Sequence, residues 1–181
     1  AYQRFKSADN MTDCVGAISA LVHNGHPLAE PALDLFFKRF AHEPLVIDKW
    51  FALQAGQPDR AGHVLQVIKR LIAHPSFSLK NPNRARSVLS TFCQANPAAF
   101  HRADAAGYIL WADHVMALDE TNPQVAARLA RALDRWTILA SPYKEAAHEA
   151  LSRVAQKGNL SSDVNEIIQR ALNANGASLT H

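Results

Sequence analysis

Asn122-Pro123-Gln124-Val125-Ala126-Ala127-Arg128-Leu129 shows how helices begin in this chain. An asparagine side chain caps a helix by accepting a backbone N–H of the first turn, and proline suits the first helical position, where its missing N–H costs nothing. The same pair occurs at Asn81-Pro82 and Asn96-Pro97, and Ser141-Pro142 follows a similar pattern. These signals predict a chain of consecutive helices, with only a short turn after Asn96.

The apolar residues between these signals recur every three or four positions, as in Met11, Val15, Ile18 and Val22. That period marks one buried helical face, and about nine such segments are expected. No alternating apolar and polar run indicates a strand. The sequence therefore predicts an all-α fold, with antiparallel helix pairs stacked in a superhelix of the HEAT or armadillo type. Because no residue pattern repeats at a fixed period, the array is expected to be irregular, and a globular helical bundle remains an alternative.

The length of 181 residues suits a single helical domain over residues 1–181, or one part of a larger protein. The chain starts at Ala1 rather than at a methionine, which we interpret as a cut within a longer chain. The last helix is expected to end at Gly176, with residues 177–181 as a frayed tail.

The distribution of charged and apolar residues excludes two common kinds of partner. Lys and Arg exceed Asp and Glu by a net charge of only +3, and no block of five like charges occurs, so we predict no nucleic-acid partner. No apolar run approaches the ~18 residues of a membrane span, so no membrane association is predicted.

The two cysteines, Cys14 and Cys93, lie in apolar helical patterns and are interpreted as reduced core thiols of a cytoplasmic protein, although a disulfide is the alternative.

The nine histidines raise the question of a metal site. The zinc-peptidase pattern His-Glu-x-x-His places two imidazoles one helical turn apart, so that both reach one ion. After His42-Glu43 the second ligand position is Val46, and after His148-Glu149 it is Ser152. Phosphate-binding glycine loops and nucleophile elbows are also absent from the sequence. We therefore predict no metal ligand, no cofactor and no catalytic residue in this chain.

Polar residues on the helix after Asn122 are the candidates for binding. Gln124, Arg128, Arg131 and Arg135 follow spacings of four, three and four, so they share one face of the expected helix. The face is an ordinary solvated surface, as is expected for Arg131 and Arg135, or it forms part of a cavity wall through Gln124 and Arg128. Arg84 and Arg86 follow the Asn81 cap, where a cation opposes the helix dipole, and we expect an outside carboxylate as their partner.

Five ordered segments resemble the C-terminal domain of bacterial aminopeptidase N, a family of zinc-dependent alanyl aminopeptidases. They lie at 2–13 (YQRFKSADNMTD), 36–55 (FFKRFAHEPLVIDKWFALQA), 81–87 (NPNRARS), 96–101 (NPAAFH) and 122–129 (NPQVAARL). The resemblance covers almost the whole chain. It departs after Trp136, where the family tends to carry an Arg-aromatic-Asp segment and this chain has Thr-Ile-Leu-Ala-Ser-Pro at 137–142.

The resemblance implies a non-catalytic domain that closes the active-site chamber of a longer enzyme and helps to shape its substrate pockets. That enzyme would remove N-terminal residues, favouring Ala, Arg and Lys, from small peptides. Its zinc would belong to an upstream catalytic domain, which would be this domain's partner. Gln124 would line the pocket for the first side chain of the substrate. Arg128 and Arg86 would line the chamber near later residues of the peptide or its carboxylate.

A second interpretation keeps the same fold but a different function. A stacked helical array can act as an independent scaffold, and an arginine-bearing surface would suit a protein partner or an acidic peptide.

Overall fold

The computed structural model describes residues 1–174, and all regular secondary structure in that range is helical. Its α-helices are α1 (Tyr2–Ser7), α2 (Met11–His23), α3 (Ala29–Phe40), α4 (Pro44–Ala55), α5 (Val64–Ile72), α6 (Pro82–Ala85), α7 (Thr91–Ala95), α8 (Pro97–Phe100), α9 (Ala106–Thr121), α10 (Pro123–Ala130), α11 (Tyr143–Ala155) and α12 (Ser162–Asn173). The predicted all-α class is confirmed, and the expected number of helices is close. The predicted helix end at Gly176 and the tail 177–181 lie outside the described residues.

The additional elements are short. The α1 helix was not predicted, because it has no side-chain cap and buries only Phe5. A π-helical turn, Arg86–Ser90, joins α6 to α7 without a break, and two 3₁₀ turns, Arg131–Leu133 and Trp136–Ile138, follow α10.

The three Asn-Pro pairs do not act alike. The side-chain oxygens of Asn81 and Asn122 accept the predicted cap bonds, from the N–H groups of Arg84 and Val125, each at 3.2 Å. The side chain of Asn96 makes no cap bond; its buried amide instead donates to the backbone carbonyls of residues 55 and 57, at 3.0 and 2.9 Å. The short turn expected after Asn96 is confirmed as α8, and the Asn96 amide closes the end of α4.

The prediction that Ser141 caps a helix is wrong. The α11 helix begins at Tyr143, one residue later than the pattern requires, and it has no side-chain cap. The Ser141–Pro142 peptide bond is cis.

The helices form two rows. Successive contacts run from α2 to α4, the π turn, α10 and α12 in the first row, and from α5 to α8, α9 and α11 in the second. Helices adjacent in sequence also pack across the rows, as α4 does on α5, α9 on α10 and α11 on α12. This is the stacking of helix pairs that the amphipathic pattern predicted, with a continuous apolar core between the rows.

Three tryptophans tie neighbouring elements together. The indole N–H groups of Trp50, Trp111 and Trp136 donate to the carbonyls of Leu33, Leu129 and Ala171, at 3.0, 2.8 and 2.8 Å. A buried indole needs such a partner, because an unpaired N–H in the core is costly. Each bond therefore fixes the approach of one helix to another.

Cys14 and Cys93 are both buried and both free. The prediction of core thiols is confirmed, and the disulfide alternative is wrong. Burial raises the pKa of the Cys93 thiol, which keeps it protonated and inert. None of the helices in residues 1–174 combines the length and apolarity needed to cross a lipid bilayer.

Candidate functional site

An open groove of about 450 Å³ lies between α10 and α12, in the first row of helices. One wall is formed by Gln124, Ala127, Arg128 and Arg131, and the other by Asp163, Glu166, Ile167 and Arg170. Ala127 and Ile167 are buried and form the floor, whereas the polar side chains are exposed. The groove therefore combines a narrow apolar floor with two charged walls.

The N-terminal caps of α10 and α12 fix the first turns of the helices that form the two walls of the groove. The Asn122 cap fixes the first turn of α10, from which Gln124 projects. The hydroxyl oxygen of Ser161 accepts the N–H of Val164 at 3.4 Å and so caps α12. Ser161 is itself held by buried Asp119 of α9, which accepts its hydroxyl at 2.5 Å and its N–H at 2.8 Å. Both helix starts are thus anchored to the α9 side of the core.

The charges of the groove face solvent and are mixed in sign. Three guanidinium groups, of Arg128, Arg131 and Arg170, lie near two carboxylates, of Asp163 and Glu166. Arg131 has a long contact with Asp134, at 3.7 Å. Among residues 1–174, no ion pair within 4.0 Å involves the other four side chains. These groups are therefore available to a ligand that carries both an anionic and a cationic group.

Gln124 and Arg128, the two residues expected at a cavity, both line the groove. Arg131, which was expected only on the solvated surface, lines it as well. Arg135 is exposed and does not line it, and it does not continue the face of α10, because that helix ends at Ala130 and the chain continues in 3₁₀ turns. The opposite wall was missed entirely. Asp163, Glu166 and Arg170 form a polar stripe beside the buried stripe of α12, but the sequence carries no signal that α12 faces α10.

Arg86 lies outside this groove. It opens the π turn, is half-buried, and donates to the side-chain oxygen of Asn83. The π turn packs against α10, and the Gln94 amide donates to the Arg128 carbonyl at 2.8 Å. The structure therefore brings the element that carries Arg86 next to α10 without placing the three predicted residues in one cavity. Single π turns occur frequently at functional sites.

Arg84 finds its carboxylate inside the chain, so the expectation of an outside partner is wrong for this residue. Its Nε lies 2.5 Å from Oδ1 of Asp48, and both side chains are largely buried. Its guanidinium also donates to the Ser76 carbonyl and lies 5.0 Å from the centre of the Phe51 ring. The cation is desolvated but well partnered, and it joins α6 to α4.

Within residues 1–174, no three side chains of His, Cys, Asp or Glu come close enough together to hold a metal ion. His42 precedes α4, whose first residue is Pro44, and His148 lies on α11 with Ser152 one turn away. Neither His-Glu pair therefore has the second histidine, one helical turn further on, that a zinc-peptidase site needs.

The stacked fold and its groove define a helical-repeat domain of the armadillo type. More specifically, the chain belongs to the family described as "Domain of unknown function (DUF3458_C) ARM repeats", whose model matches residues 1–173.

Relatives of known name show where this family occurs. The chain is 39% identical over 170 residues to aminopeptidase N of Haemophilus influenzae and 38% identical over 170 residues to aminopeptidase N of Escherichia coli. Each match covers 94% of this chain but only 19% of the relative. The resemblance to the C-terminal region of aminopeptidase N is therefore confirmed.

A solved structure shares the fold. Aminopeptidase A of Legionella pneumophila, in complex with aspartic acid, superposes with a TM-score of 0.87 at 28% sequence identity. The superposition covers 96% of this chain and 20% of that one. The chain thus spans about a fifth of the length of the proteins it matches.

Proposed function

We propose that this chain is the non-catalytic C-terminal domain of a zinc aminopeptidase, and that it closes the active-site chamber and helps to shape the substrate pockets. Residues 1–181 would form one domain that follows a catalytic region of the same protein. The observation that carries the proposal is the mixed-charge groove between α10 and α12, in a domain whose relatives are aminopeptidases about five times longer. The catalytic region and peptide substrates would be its partners.

The chemistry of the groove suits a peptide. A guanidinium binds a carboxylate through two parallel N–H donors, and an amide both donates and accepts. Gln124 would contact the first side chain of the substrate. Arg128 would contact later residues or the peptide carboxylate, and Arg86 would contribute from the neighbouring π turn, outside the groove.

The zinc of such an enzyme would be bound elsewhere in the longer protein. The described residues of this chain do not supply the required donor set, so no step of the reaction is assigned to them. Their role would be to bind and orient the peptide and to limit access of water to the chamber. A cytoplasmic location is part of the same proposal, and the two buried, unpaired cysteines support a reducing compartment.

The alternative of an independent scaffold for an acidic peptide fits the groove less well. Two carboxylates, of Asp163 and Glu166, stand among the three arginines and would repel an acidic ligand. A peptide with both termini charged satisfies the same groups better than a purely anionic one.

The proposal predicts that the 181-residue chain, produced alone, folds but has no aminopeptidase activity. We expect a helical circular-dichroism spectrum, less than one zinc per chain after dialysis, and no hydrolysis of alanyl p-nitroanilide. A preparation of the complete aminopeptidase N of Escherichia coli serves as the positive control. Zinc-dependent hydrolysis that co-purifies with the isolated chain would contradict the proposal.

A further inference from the structure

A second cavity, of about 280 Å³, lies between α3, α4 and α5. Phe37, Trp50 and His74 line it together with Gln54 and the apolar side chains of Leu33, Val67 and Leu71. The exposed charged side chains of Glu30, Asp34, Lys38 and Arg70 complete the lining. An apolar cavity of about 150 Å³ is enough to hold one benzene ring in a protein. This cavity is therefore large enough for a single substituted ring.

The three rings form a continuous aromatic surface. The ring centres of Phe37 and Trp50 are 4.9 Å apart, and that of His74 lies 5.0 Å from Phe37 and 5.3 Å from Trp50. The planes are inclined to each other by 57° to 65°. Such a surface presents both ring faces and ring edges, which favours another aromatic ring as the ligand.

Gln54 contributes an uncharged hydrogen-bond acceptor to the lining of this cavity. Gln54 is only 7% exposed, and its amide N–H donates to the Trp50 carbonyl at 3.0 Å. Its side-chain oxygen accepts no hydrogen bond from the described residues. Because no fully enclosed side-chain oxygen or nitrogen in residues 1–174 lacks a partner, that oxygen must reach solvent, and the cavity is the space that Gln54 lines.

One hydrogen-bond donor accompanies it. The Nδ1 atom of His74 accepts the N–H of Ser76 at 3.1 Å, so in the neutral ring the hydrogen is on Nε2. Burial and the nearby Arg84 cation lower the pKa of His74, which keeps the ring neutral near pH 7. The Nε2–H has no acceptor among the described residues. Besides its exposed charged side chains, the cavity lining therefore includes an uncharged acceptor on Gln54 and an uncharged donor on His74.

We propose that this cavity is a binding site for a phenol, that is, for an aromatic ring with a hydroxyl group. The ring would pack on Phe37 and Trp50, while the hydroxyl would donate to Gln54 and accept from His74. Benzene offers neither function and indole only a donor. Neutral imidazole donates and accepts through two separate ring nitrogens, whereas the single hydroxyl of a phenol does both. The site is separate from the α10–α12 groove, and it does not depend on the proposed aminopeptidase role.

The test is a titration of the ¹⁵N-labelled chain with p-cresol and, separately, with toluene, which lacks the hydroxyl. The signal of the Trp50 indole N–H reports on the cavity, and those of Trp111 and Trp136, both buried elsewhere, are internal controls. We expect a saturable shift of the Trp50 signal alone. We also expect p-cresol to bind about 3- to 10-fold more tightly than toluene, the effect of one or two neutral hydrogen bonds.

Two substitutions test whether Gln54 causes the preference for p-cresol over toluene. Gln54→Leu should abolish the preference for p-cresol over toluene, and Gln66→Leu, an exposed glutamine of the neighbouring α5 helix, should leave it unchanged. Even if Gln54→Leu does not fold, the affinities of the unaltered chain for p-cresol and toluene still test the proposed phenol site. No saturable shift at Trp50, equal affinities for p-cresol and toluene, or an unchanged preference in folded Gln54→Leu would each overturn the proposal.

The source of the phenol is decided by a third ligand, the blocked tripeptide N-acetyl-Gly-Tyr-Gly-amide. Tighter binding of the tripeptide than of p-cresol would assign the cavity to a tyrosine side chain of a polypeptide. Weaker binding would assign it to a free small phenol. In either case the Trp50 signal must be the one that shifts.

Discussion

Single residues with the same local sequence have different roles in this fold. Asn81 and Asn122 act within their own helices, so the sequence was sufficient to predict their caps. Asn96 has the same neighbour, but its amide partners are the carbonyls of residues 55 and 57, which belong to the end of another helix. No local pattern contains that information. The same reason explains why the internal pairing of Arg84 with Asp48 was missed.

This difference predicts unequal costs of substitution. Asn122→Ala removes one half-buried cap bond and should lower the free energy of unfolding by about 1 kcal/mol. Asn96→Ala leaves two carbonyl groups without their buried donors and should lower it by about 2 kcal/mol or more. Urea denaturation measures both, with Asn165→Ala, at an exposed helical position, as a control expected to change little. Equal losses of unfolding free energy in Asn96→Ala and Asn122→Ala would contradict the different roles assigned to the two side chains.

At the scale of elements, the positions of the long helices could be predicted. The π turn and the 3₁₀ turns that interrupt the α-helical geometry could not. The three-to-four spacing of apolar residues located α2, α3, α4, α5, α9 and α12, because it depends only on residues within each helix. The same spacing does not distinguish the π turn at Arg86–Ser90 or the 3₁₀ turns after α10 from regular α-helix. Arg135 was therefore placed on the same helical face as Gln124, although α10 ends before it. The six-residue α1 offers too few apolar positions to be recognised.

The junction of α8 and α9 provides a sharp test of element packing. A Cβ atom on Gly107 would lie 2.2 Å from the carbonyl oxygen of Phe100, whereas one on Gly16 of α2 would meet nothing within 4 Å. Gly107→Ala should therefore lower the free energy of unfolding by about 2 kcal/mol or more, because the backbone of α8 must move. Gly16→Ala should raise it by about 0.5–1 kcal/mol, since alanine is the better helix former.

If the α8–α9 contact is as described, urea denaturation should show a lower free energy of unfolding for Gly107→Ala and a higher one for Gly16→Ala. A Gly107→Ala variant as stable as the parent would show that α9 does not approach α8 so closely. The Gly16 substitution controls for the general effect of alanine in a helix.

At the scale of the whole molecule, the packing of α10 against α12 within the first row creates a groove that neither helix contains alone. The sequence predicted one wall, Gln124 and Arg128, from spacing and from the family resemblance. The opposite wall comes from α12, which is distant in sequence and packs against both α10 and α11. The fold class could thus be predicted from local patterns, whereas the groove depends on long-range packing. Arg86 remains a predicted contact of the chamber, and it lies on an element beside the groove.

The central claim is that the α10–α12 groove contacts the peptide of an aminopeptidase. The most direct measurement compares kcat/KM for alanyl and arginyl substrates in the complete enzyme before and after Gln124→Ala. Gln169→Ala, at an exposed position of α12 that does not line the groove, is the matched control. We predict that Gln124→Ala changes the ratio of the two kcat/KM values by about 3- to 10-fold, with a smaller change in kcat for the alanyl substrate. An unchanged ratio in Gln124→Ala, or an equal change in Gln169→Ala, would contradict the claim.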